Sequence, residues 1–242
     1  MILARAGPDY AQEDVVWQAW GAILGLYFPS TAPPGQRYYA IDRERYRGVP
    51  PAVPSAVKPD LVVVRMHEVV NPPNPPANQY APNMPDIVSR DVLWVECKAP
   101  NHDAPASWNT LIFEAAGRLA HAHPRRMLFL IVAVGLKWMI FKWDPSSNQP
   151  LQLQAHNVND VWNVHPFVSY DSTIAGQRHV VPRTNPQVAD TIDTRRAYSL
   201  DFWTVDQTTG QPRNMPACQL LERCLRHIQA THFVGDNPDL FH

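Results

Sequence analysis

Apolar residues Val16, Trp20, Ile23, Leu24 and Tyr27 recur at the spacing that lines one side of a helix, and Pro29 closes the run. The pattern predicts a helix capped by Asp9 and reaching about Tyr27. A short strand is expected over Tyr38 to Asp42, and the valine-rich run Leu61 to Met66 reads as a second strand. Residues Asn71 to Arg90 contain six prolines (Pro72, Pro73, Pro75, Pro76, Pro82, Pro85), which cannot donate to a sheet ladder. That stretch is therefore expected to be a surface excursion leading to a further strand, Asp91 to Lys98.

After a short loop bracketed by Pro100 and Pro105, Ser107 to Ala120 reads as a helix with Leu111, Ile112, Ala115 and Leu119 on one side. Met127 to Val134 and Leu136 to Trp143 read as buried strands meeting at Gly135, the second ended by Pro145. Beyond them, Leu151 to Gln154 and Ser199 to Val205 alternate as strands do. Ala217 to Phe233 has the period of a helix, with Leu220, Leu221, Cys224, Leu225 and Ile228 inward, whereas Val158 to Arg196 has no steady period. No internal repeat appears, which sets aside solenoids and coiled coils. The order suits an α/β fold with a mixed central sheet flanked by helices.

Composition narrows this picture. The chain has 242 residues, 45% of them hydrophobic and 18% charged, enough for one substantial core and too apolar for a disordered protein. A single domain over 1–242 is expected, with its core in 9–145 and a C-terminal elaboration in 146–242. The formal net charge of -1 gives no global attraction to a polyanion, so nucleic acid would have to meet a local basic face. Arg43, Arg45 and Arg47 are candidates for one, although alternating charges beside tyrosines also describe a solvated surface. Cys97, Cys218 and Cys224 form no CxxC pair and leave one thiol over under any disulfide scheme, pointing to a reducing compartment. The first ten residues have no apolar signal core, and the longest apolar run is about half of the roughly 20 residues that a membrane helix needs. A soluble intracellular protein, cytoplasmic or nuclear and without a membrane partner, is the expectation.

Chemistry concentrates at two strand ends. Asp60 follows Pro59 at the opening of an apolar strand, a position that a simple turn or cap residue also takes. In Glu96-Cys97-Lys98 the strand period of two puts Glu96 and Lys98 on one face and Cys97 on the other. Charges at the end of an apolar strand are costly to bury unless they pair, with each other for instance, or meet a metal. Asp60, Glu96 and the backbone carbonyl of Cys97 make an oxygen-rich set that suits Mg²⁺ or Mn²⁺. Lys98 would position or deprotonate a water, or stabilise phosphate charge. There is no GxSxG, GxxxxGK[ST], HExxH or strand-borne GxGxxG motif.

Pro59-Asp60 and Glu96-Cys97-Lys98, in this element order, resemble the PD-(D/E)XK nuclease superfamily over roughly residues 9 to 145, and fungal members of that group among them. The resemblance implies a restriction-endonuclease-like fold with a C-terminal extension and metal-dependent hydrolysis of DNA or RNA. Asp60, Glu96 and Lys98 would be its catalytic residues, and a homodimer is compatible with it. It also implies an auxiliary acid on the leading helix, which Glu13 would supply as a further catalytic residue and metal ligand, though the helix dipole favours an acid there regardless of function. The helix after the Lys often carries a Gln in that family, where this chain offers Glu114.

Overall fold

In the computed structural model, the described residues are 12–31, 37–43, 59–69, 86–146, 151–156, 162–165, 168–171, 179–182, 197–200, 205–210 and 215–231. Helix α1 spans Glu13–Tyr27 and follows Gln12, whose side chain makes no capping bond; the expected cap, Asp9, lies outside the described residues. Strand β1 is Tyr38–Arg43, β2 is Leu61–Val69 and β3 is Asp86–Lys98. The proline-rich excursion is therefore shorter than expected at its far end. Residues 86–90 carry no proline and continue the ladder, from Val69↔Asp86 to Arg65↔Arg90.

Helix α2, Pro105–Ala122, starts on its proline, since a first-turn N–H has no intrahelical acceptor to lose. Strands β4 (Leu128–Val134) and β5 (Lys137–Trp143) are joined through Gly135, whose φ of 56° is the left-handed conformation that a side chain would resist. The Gly135 N–H donates to the Lys98 carbonyl at 2.9 Å, which ties this turn to the end of β3.

Downstream, β6 is Leu151–His156, β7 Trp162–His165, β8 Val168–Asp171, β9 His179–Pro182 and β10 Tyr198–Ser199, followed by α3, Met215–Ala230. Three of these strands fall within the stretch that showed no period, because four-residue strands are too short to display one. Of the strand expected over Ser199 to Val205, Ser199 lies in β10 beside β5 and the Leu200 N–H donates to the Leu136 carbonyl; residues 201–204 lie outside the described residues. The terminal helix begins two residues before Ala217 and ends at Ala230, where Thr231 turns back onto His227; Phe233 lies outside the described residues.

Seven strands run in chain order, β1 to β7, and β10 adds to β5, while β8 and β9 form a separate hairpin. Every pair in the large sheet is antiparallel except β3 with β4, which are parallel because α2 carries the chain back between them. The fold is α/β with a mixed sheet flanked by helices. One face of the sheet buries Leu61, Val63, Val95, Cys97 and Ile131 under α1 and α3. The other buries Val62, Val64, Trp94, Leu130 and Val132 under α2. Among the described residues no helix is long and apolar enough to cross a membrane.

Candidate active site

Parity along β2 and β3 determines which side chains can meet. Asp60 immediately precedes Leu61, which pairs with Val95, so Asp60 lies across from Glu96 at the carboxyl end of β3. A side-chain oxygen of Asp60 accepts the Cys97 N–H, fastening the start of β2 to that end. Burial raises the Asp60 carboxyl above its ordinary value, and the Cys97 N–H, Lys98 and Arg118 offset this only in part.

Glu96 is 1% exposed. Its Oε2 accepts from Arg118 Nη1 at 2.7 Å, and its Oε1 is buried without a hydrogen-bond partner among the described residues. Burial pushes Glu96 up to about 7 against the pull of Arg118, and the nearby Asp60 charge adds to the rise. Lys98 turns to the first turn of α1, where its Nζ meets Glu13 Oε1 at 2.7 Å. Burial pulls the Lys98 ammonium down, but Glu13, Asp60 and Glu96 together outweigh it and hold it above its usual value. Glu96 and Lys98 therefore do not form the i, i+2 pair that their spacing allowed; each takes a partner from a different helix.

The structure thus brings together Asp60, Glu96, Lys98 and Glu13. Cys97 points the other way, into the core under α1, and burial raises its thiol well above the usual range. Arg118, which the sequence reading overlooked, joins the cluster from α2 and also lies 3.8 Å from Glu114 Oε2. Its signal was legible. Arg118 stands seven residues after Leu111 and three after Ala115, at the edge of the apolar stripe of α2, where an arginine can reach an acid on the sheet.

The loop after Lys98 is tethered by Asp103, whose Oδ1 accepts from Trp108 Nε1 at 3.0 Å and whose Oδ2 meets Lys137 Nζ at 2.6 Å. Elsewhere, Arg43 stacks its guanidinium 3.5 Å from the centre of the Trp17 ring, while Arg45 and Arg47 lie outside the described residues. None of Cys97, Cys218 and Cys224 is in a disulfide.

Among the described residues, four acids, Glu13, Asp60, Glu96 and Glu114, surround two cations, Lys98 and Arg118. No group of three His, Cys, Asp or Glu side chains disposed to hold a metal occurs among the described residues. A set of two carboxylates and one carbonyl needs no third such side chain, and the buried Glu96 Oε1 is the kind of oxygen that a hard cation satisfies. Carboxylate and carbonyl oxygens are the donor types that hard cations such as Mg²⁺ or Mn²⁺ take. The chain matches no protein-family model, and neither a curated protein nor a solved structure matches it.

Proposed function

We propose that the chain is a divalent-metal-dependent nuclease of PD-(D/E)XK type, with a restriction-endonuclease-like arrangement of its sheet, hydrolysing phosphodiester bonds of DNA or RNA. The observation that carries this reading is Glu96: a buried carboxylate with an unanswered oxygen, set beside a second acid at a strand end. A protein keeps such a group at a cost of about 1–3 kcal/mol unless something binds it. Asp60, Glu96 and the Cys97 carbonyl would hold Mg²⁺ or Mn²⁺, with Glu13 as the auxiliary acid behind Lys98. When bound, the ion supplies an acidified, oriented water and offsets phosphate charge.

The residues of the chain do the rest. Lys98, held protonated by Glu13, fits stabilisation of the developing phosphate charge better than proton abstraction. Both Lys98 and Arg118 are about 30% exposed at the rim and offer phosphate a local basic edge on a chain of nearly neutral charge. Plasmid, single-stranded DNA and RNA incubated with the protein in Mg²⁺ or Mn²⁺ test the reading. Cleavage is expected and should disappear in Asp60→Ala; cleavage that survives that change sinks it.

One observation favours a second reading, a catalytically inactive member of the fold that binds nucleic acid or protein. Glu96 and Lys98 already have partners within the chain, Arg118 and Glu13. Titration with Mn²⁺ separates the two readings, because an inactive scaffold shows no heat that depends on Asp60.

A further inference from the structure

We propose that Arg118 is a latch on the site: it occupies Glu96 while no cation is bound, yields Glu96 to the cation, and swings to Glu114, from where it takes a phosphate oxygen of the substrate. This rests on the nuclease reading and adds to it a residue that exchanges partners.

Arg118 is placed between two acids of opposite environment. Its Nη1 lies 2.7 Å from Glu96 Oε2, on a side chain 1% exposed, and its Nη2 lies 3.8 Å from Glu114 Oε2, on one 50% exposed. Both Arg118 and Glu114 ride on α2, one turn apart, so the exchange needs only side-chain rotation. Glu96 is held on the sheet by β3 and stays where it is. A divalent cation on Glu96 repels the guanidinium, whose Nη1 lies 2.7 Å from Glu96 Oε2, and Glu114 gives that guanidinium a second seat at the rim. The planar fork of arginine, once off Glu96, matches the oxygens of a phosphate.

Calorimetric titration of the full chain with Mn²⁺, in alkaline buffer above the range in which Glu96 titrates, tests this. Arg118→Met should bind Mn²⁺ more tightly, by about five- to fifty-fold, because a competitor has been removed. Glu114→Gln, a surface change that leaves folding intact, should bind Mn²⁺ about twofold more weakly, because the latch loses its second seat. Inorganic phosphate should bind the Mn²⁺-loaded wild type more tightly than loaded Arg118→Met. Weaker Mn²⁺ binding in Arg118→Met overturns the latch and makes Arg118 a support for Glu96. Should that variant fail to fold, Arg118→Lys and Glu114→Gln decide, and wild-type affinity in both overturns the proposal. Asp60→Asn keeps the two ideas apart: if wild type binds no Mn²⁺, or Asp60→Asn binds it equally well, the nuclease reading itself has failed.

Discussion

Strand β3 carries two buried carboxylates on one face of the sheet, Asp91 and Glu96, and they have opposite characters. Asp91 Oδ2 accepts from Trp94 Nε1 at 3.0 Å and meets His123 Nε2 at 3.2 Å. His123, at the end of α2, is itself locked by its N–H on the Leu119 carbonyl and by Trp143 Nε1 on its own carbonyl. Every one of these partners is a ring or a backbone group fixed in the core. Glu96 instead is held by a long, partly exposed arginine, free to rotate on α2. The same residue class, five positions apart, is thus an internal brace at one end of the strand and a group with an exchangeable partner at the other. What separates anchor from candidate site is the rigidity of the partners, since both acids are buried.

Four changes would break or sharpen that contrast. Asp91→Ala strips the acceptor from two buried rings and should cost about 2–5 kcal/mol in denaturant unfolding, with Mn²⁺ affinity of the folded protein unchanged; weakened metal binding would erase the distinction between the two ends. Lys98→Ala should do the reverse, lowering cleavage by roughly 10²–10³-fold while moving stability by less than about 1 kcal/mol, since its ion pair with Glu13 is partly solvated.

The third change concerns pH. Burial raises folded Glu96 from 4.5 to about 7, so the folded state favours its protonated form. Its contribution is fully present below about 4.5 and is lost as pH rises through about 7. Metal-free wild type should therefore lose about 2–3 kcal/mol relative to Glu96→Gln between mildly acid and mildly alkaline buffer. Parallel unfolding midpoints for the two proteins across that range would refute it. The smallest effect belongs to a control away from both carboxylates. Arg43→Ala should cost about 0.5–1 kcal/mol by unstacking Trp17 and leave cleavage unaltered.

Much of this was legible in the chain. Helical spacing in 16–27 and 111–119 identified the buried faces of α1 and α2, because side-chain direction follows the local backbone period, and a valine-rich run located β2 and an apolar run β4. Period two alone placed Glu96 and Lys98 away from Cys97. Alternation fails at Val92, where β3 bulges: Val63 pairs with Leu93 but Val64 with Asp91. The extra residue reverses the parity, so Asp91 and Trp94, three apart, share a face and can bond. Such a bulge is set by pairing with β2 and leaves no mark in β3 itself.

The sequence by itself determined the kinds of element, their order, their buried sides and the five letters at the two strand ends, since each of these depends on neighbours within a few residues. Only the tertiary structure decided who meets whom: Lys98 with Glu13 across 85 positions, Glu96 with Arg118, Asp91 with His123. Those choices arise where α1 and α2 pack on opposite faces of one sheet, and the energy of a buried charge is set by whichever partner that packing delivers.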